Sequence, residues 1–232
     1  MFELSDSEWT AVALSLKVAS VATAFSLPFA IAVAYVLARW RFPGKTLLDG
    51  FLHLPLVLPP VVTGYALLLT FGKKGPIGAF LLEHFDVSFS FRWTGAALAC
   101  GVMGLPLMLR AIRLSFEGID RRLEAAAGTL GAPPLWTFLL VTLPLAAPGI
   151  LVGAILCFAK ALGEFGATIT FVSNIPGETQ TIPSAIYTLT QVPGGDADAL
   201  RLSGVAVVIA LVALIASEAL AKRAYKRIAA FE

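Results

Sequence analysis

The residues of this sequence that could do chemistry are few and scattered. Its two histidines, His53 and His84, stand alone, with no His-Glu-x-x-His pair or His/Cys cluster to hold a metal. Cys100 and Cys157 lie inside long apolar runs. Small hydrophobes in helices account for them, and neither a disulfide framework nor a metal site is spelled out. No Gly-rich P-loop ending in Gly-Lys-Ser/Thr is present, so any ATP that drives this chain must be hydrolysed by another subunit. An enzyme is not expected, and no cofactor is called for. What remains is a polar stretch between two apolar runs, residues 123–144 (LEAAAGTLGAPPLWTFLLVTLP). Beside it stand a few isolated charges in or near apolar segments: Lys17, Lys160, Glu164 and Glu218. Such groups do recognition and passage rather than bond-making.

The elements that must position these groups are membrane spans. The chain has 232 residues, of which 58% are hydrophobic and 14% charged, and its mean hydropathy is +0.84. A soluble domain carries roughly 25% charged residues. This reads as an all-α integral membrane protein, one transmembrane domain over residues 1–232. Apolar runs at residues 10–38, 47–72, 93–112, 137–162 and 202–221 each reach or approach the ~20 residues that cross the hydrocarbon core. Backbone groups cannot go unpaired in lipid, so each run is expected to be helical. Period-2 alternation is absent, which excludes a β-barrel. The net charge of +2 is too small to argue for nucleic acid. The N-terminus, MFELSDSEWT, is acidic where a signal peptide is basic, so the first run is expected to be a retained span.

Charge placement orients the chain. With the N-terminus outside, the inner segments hold Arg39, Arg41 and Lys45, then Arg110, Arg113, Arg121 and Arg122, then Lys222, Arg223, Lys226 and Arg227, eleven of seventeen basic residues. The positive-inside rule therefore puts the N-terminus out, the C-terminus in and the 123–144 stretch in the cytoplasm. Lys73 and Lys74 run against this pattern.

Within the polar stretch, residues 120–130 read as a short helix, since Ala, Leu and Glu are strong helix formers. Gly131 suits a left-handed helix end, and Pro133 and Pro134 suit the first turn of the next helix. Leu123, Ala126, Ala127 and Leu130 share one face of that short helix. Two readings are open: a knob that docks on a partner, or a solvated connector. The second apolar run holds Pro55, Pro59, Pro60 and Gly64, which lipid tolerates only where neighbours or a polar cavity satisfy the freed backbone. It is either a pathway-lining helix or a structural kink. Pro59, Pro60 and Thr63 there, with Glu164, Phe165 and Thr168 after the fourth run, are the candidate pathway or gate residues. Glu164 could form a gate or interface, or cap a local turn. Lys17 and Lys160 could snorkel from span ends, and Glu218 could pair with Lys222 at i,i+4. Between the spans, residues 76–86 and 181–191 read as short surface or re-entrant helices, the second packing back into the bundle.

These residues carry a family resemblance. The stretch resembles the EAA loop of bacterial ABC-importer permeases: Glu-Ala-Ala, three residues, Gly, nine residues, Ile-x-Leu-Pro. Counting from Gly131, nine residues lead to Val141-Thr142-Leu143-Pro144, with Val for Ile. Ala126 and Ala127 fill the alanine positions. Ala125 holds the glutamate position and Glu124 lies one residue earlier, a rotation of ~100° on a helix. FPGKTLLDGFLHLPLVLPPVVTGYALL and GEFGATITFVSNIPGETQTIPSAIYTL are similar to permease subunits of the molybdate type, with sulfate permeases the nearest relatives and tungstate a near-isostere.

The resemblance implies a type I, MetI-like ABC importer permease fold in the bacterial inner membrane. It implies a homodimer in the lipid bilayer, two cytoplasmic ATP-binding subunits and a periplasmic molybdate-binding protein. The coupling loop would span residues 113–136. Leu123, Glu124, Ala126, Ala127, Leu130, Gly131, Leu143 and Pro144 would serve ATPase coupling, the docking face lying with Ala126, Ala127, Leu130 and Gly131 rather than with the glutamate. The rivals are a sulfate or tungstate permease of the same build, and an ion-coupled secondary transporter or channel. The last requires a charged midplane relay, which the sequence lacks.

Overall fold

A chain that must pair its backbone in lipid has little choice but helix, and the computed structural model is helical through its described residues, 4–229, with side chains to residue 216. The expected Glu218–Lys222 pair lies outside the described side chains. α1 (Asp6–Arg39) opens with a capping box. The Ser5 hydroxyl accepts the Glu8 N–H at 3.3 Å and the Glu8 carboxylate accepts the Ser5 N–H at 2.7 Å, satisfying two donors that a helix start leaves free.

Residues 47–72 do not form one helix. α2 (Lys45–Val57) and α3 (Pro60–Phe71) meet at a 114° bend. Pro59 and Pro60 supply no amide hydrogens, and Pro60 takes the first position of a fresh helix. α4 (Pro76–Phe85) is a short surface helix. α5 (Trp93–Gly118) is the central helix, with the largest share of its apolar length buried. Then come α6 (Arg121–Thr129), α7 (Pro134–Thr137), a π turn over Phe138–Thr142 and α8 (Leu143–Leu162). α9 (Gly166–Val172) and α10 (Ile182–Thr190) follow, then α11 (Asp196–Ala229). Four of these segments, 6–39, 93–118, 134–162 and 196–216, are long and apolar enough to cross a membrane, and the bent α2–α3 pair makes a fifth.

The core is built on α1, α5 and α8. Lys17 of α1 meets Trp93 at the start of α5, its Nζ 3.7 Å from the ring centroid. Arg39 at the end of α1 reaches the Ile119 carbonyl just past α5 at 3.5 Å, so the two helices run parallel. α8 returns between them: Ser115 donates to the Ala146 carbonyl at 3.3 Å, and Cys100 to the Ala161 carbonyl at 3.6 Å. Small residues let these helices approach, as in membrane bundles generally. A Cβ on Gly104 would sit 2.6 Å from the Cys157 sulfur. One apolar cluster (Val18, Ala22, Ala96, Met103, Phe171) fills the half near Trp93, and another (Ala34, Leu37, Met108, Ile112, Phe116) the half near Arg39. A third joins α1, α10 and α11 through Val12, Ile182 and Leu202. The segment after α8 thus packs back into the bundle, as its length suggested.

Candidate functional site

The elbow is written by local signals. Asp120 caps α6, its carboxylate accepting the Arg122 N–H at 2.9 Å. At the other end Gly131 has φ +84°. The Gly131 N–H bonds the Gly128 carbonyl and the Ala132 N–H bonds the Ala127 carbonyl, at 3.0 and 3.1 Å. This is a Schellman closure, and the left-handed residue it needs is glycine. Pro134 then starts α7. Pro144, whose ring would clash in a regular helix interior, follows the π turn, where the Leu143 N–H reaches back five residues to the Phe138 carbonyl. A π bulge is one of the ways a helix absorbs such a break.

No residue of α6 is fully buried. Leu123 is 48% and Leu130 89% exposed, and Leu135, Trp136 and Leu140 stand out beyond them. Ala126 and Gly131 are exposed, Ala127 half-buried, Leu143 half-buried and Pro144 exposed at the root of α8. Glu124 turns the other way. Its Oε1 accepts from Arg39 Nη2 at 2.9 Å and from the Thr142 hydroxyl at 2.8 Å.

The second candidate group converges where α3 meets α9. A Cβ on Gly166 would lie 2.7 Å from Pro60 Cβ, and one on Gly64 would lie 2.5 Å from the Ala167 carbonyl oxygen. The two helices therefore touch nearly backbone to backbone. Pro59 is exposed and Pro60 half-buried. Thr63 is buried, and its hydroxyl has no partner among the described residues. Thr168 is buried and donates to the Phe165 carbonyl at 2.9 Å. Phe165 packs on Tyr187 of α10 with ring centroids 5.2 Å apart. The Glu164 side chain is 1% exposed. Its Oε1 accepts the Ala167 N–H at 3.0 Å and its Oε2 accepts from Lys160 Nζ at 2.7 Å. Glu164 thus caps the start of α9, one of its open readings, and Lys160 is its counter-ion. Lys17 is likewise held, over the Trp93 ring.

Residues 26–229, which contain both groups, match the family model described as the binding-protein-dependent transport system inner membrane component. The chain belongs to this family. It is 58% identical over 224 residues to the molybdenum transport system permease protein ModB of Escherichia coli, covering 97% of this chain and 98% of the relative. It is 37% identical over 178 residues to the sulfate transport system permease protein CysT of Salmonella typhimurium, covering 77% and 64%. Its fold matches a permease chain in the crystal structure of a bacterial alginate ABC transporter in complex with an alginate pentasaccharide-bound periplasmic protein. There the TM-score is 0.75 at 18% identity, over 94% of this chain and 80% of the other. The expected type I importer permease fold is thus the fold observed.

Sequence reasoning about this permease missed two polar nodes. Arg39 and Thr142 were visible only as a basic residue at a span end and a threonine in the motif, because their shared partner Glu124 lies 85 and 18 residues away. Glu8 was read only as an acidic tail residue, yet it is buried and bound by Arg201 at 2.8 Å. His53 bonds the Asp49 carbonyl and stands 3.4 Å from the Asp49 carboxylate, and His84 bonds the Phe80 carbonyl, each four residues back.

Proposed function

We propose that this chain is the membrane-spanning permease of an ATP-driven importer that moves molybdate from periplasm to cytoplasm. The observation that carries this reading is the 58% identity to a molybdenum permease along 97% of the chain. In it, two copies enclose the pathway, the α6–α7 elbow of each docks on a cytoplasmic ATPase subunit, and a periplasmic molybdate-binding protein delivers the anion to the opposite face. The clustering of basic residues in the elbow and the C-terminal tail supports an N-terminus outside and a C-terminus inside. Docking falls to the exposed side of the elbow, Leu123, Ala126, Leu130 and Gly131, with Ala127 at its edge and Leu143 and Pro144 anchoring the return into α8. The α3–α9 contact, with Pro59, Pro60, Thr63, Glu164, Phe165 and Thr168, is the gate. Its one carboxylate is already neutralised by Lys160, so a passing oxyanion meets no net negative charge.

The second reading, a sulfate permease, is favoured by the 37% identity to a sulfate relative. Uptake of labelled molybdate and sulfate in cells lacking their own systems separates the two. Molybdate uptake that needs a co-expressed ATPase subunit and binding protein is expected. Uptake of sulfate alone would overturn the substrate assignment, and uptake without any ATPase would overturn the class.

A further inference from the structure

We infer that Glu124 is a positioning residue that ties the elbow to the membrane helices through Arg39 and Thr142 of its own chain, rather than a contact for the ATPase. The inference rests on the reading of the elbow as the docking segment. Arg39 is the last residue of α1, and its side chain is only 8% exposed, while that of Glu124 is 20% exposed. The Arg39 guanidinium also covers the Ile119 carbonyl at the end of α5, at 3.5 Å from both terminal nitrogens. Thr142 is buried on the π turn that leads into α8. One carboxylate oxygen therefore joins α6 to α1 and α8, and the same arginine joins both to α5.

Among the described residues, α6 is tied to the bundle by no other side-chain bond. It has no buried residue, and each end is a sharp turn, at Ile119–Asp120 on one side and Gly131–Pro133 on the other. A push on the exposed Leu123 and Leu130 would swing α6 about those turns unless a side chain resists. Glu124 is that side chain, and charged hydrogen bonds with little solvent around them are the strong kind. Its place one residue before the motif's glutamate position fits this role, since ~100° of rotation carries it from the docking face to the side facing the bundle.

The test uses the permease with its ATPase subunit and binding protein in proteoliposomes, reading ATPase co-purification, molybdate uptake and ATP hydrolysed per molybdate. Glu124→Ala and Arg39→Ala should keep the ATPase bound, lower uptake about tenfold, within the range of coupling energies between sites, and raise the ATP spent per anion. Thr142→Val should shift both readouts the same way by less, while Thr142→Ser, which keeps the hydroxyl, should behave as wild type. The double variant, Arg39→Ala with Glu124→Ala, should lower uptake no further than either single variant, because each removes the same link. Loss of the ATPase from Glu124→Ala, wild-type uptake in both single variants, or fully additive losses in a normally inserted double variant overturns the inference. Leu130→Glu separates the two readings. If it leaves the ATPase bound, the docking reading fails; if it releases the ATPase while the Glu124 and Arg39 variants transport normally, only the positioning role fails.

Discussion

Two charged nodes hold the two ends of α1, and they are built differently. At the start of the helix, Glu8 closes a capping box with Ser5 and receives Arg201 on both oxygens at 2.8 Å, and Arg201 is also paired with Asp198 at 3.1 Å. At the far end, Glu124 takes one bond from Arg39 and one from Thr142, both through the same oxygen. The first node is redundant and welds the start of α1 to α11. The second is a single point joining an exposed elbow to three core helices. Redundancy suits a fixed frame, whereas a single shared atom suits a lever. The difference teaches that polar links in this bundle are to be judged by what else holds the element they reach, not by their number.

The largest expected effect breaks the lever itself. Gly131→Pro cannot adopt φ +84°, and it removes the N–H that closes α6 onto Gly128. The elbow then loses its turn, and ATPase co-purification should vanish while the permease still inserts at wild-type level. A variant that keeps the ATPase fully bound would show that the exposed elbow does not dock. Next, Glu8→Ala leaves Arg201 with Asp198 as its one carboxylate partner and opens the α1 cap at once. An apparent melting temperature lower by about 5 °C is expected in detergent, with the ratio of ATP hydrolysed to anion moved left unchanged among molecules that remain folded. A changed ratio would mean that the frame node is part of the lever as well. A smaller effect is expected from Asp120→Ala, which removes the cap of α6 and weakens that helix by about 1 kcal/mol. Uptake should fall two- to threefold, since the Schellman closure at Gly131 remains.

The elbow was legible in the sequence because its signals are local. A left-handed Gly131 and a first-turn Pro134 each act within a few residues, and the structure places α6 and α7 where those residues indicate, with Asp120, read as part of the helix, as its cap. The apolar runs were legible for the same reason. The inward turn of Glu124 was not, because nothing near it in sequence names Arg39, and the spacing to Gly131 says only that it leaves the docking face. The 114° bend between α2 and α3 was half legible: Pro59 and Pro60 forecast a break but carry no information on its angle. The cap made by Glu164 was one of the open readings, and the start of α9 immediately after it supplies the N–H that the carboxylate accepts.

The smallest expected effect sharpens the comparison most. Arg113, near the end of α5, has more carboxylates than Arg39: it pairs with Asp49 at 2.9 Å and with Glu117 at 2.8 Å. Its side chain and theirs are between 25% and 39% exposed, and pairs so open to water contribute about 0–1 kcal/mol. Neither partner lies on the elbow; Asp49 belongs to α2 and Glu117 to α5 itself. Arg113→Ala should therefore leave molybdate uptake within about twofold of wild type and the thermal midpoint nearly unmoved, although it removes two ion pairs where Arg39→Ala removes one. If the two substitutions were equally damaging, burial and reach to the elbow would not be what distinguishes these arginines, and the lever would have to be shared along the whole inner end of α5.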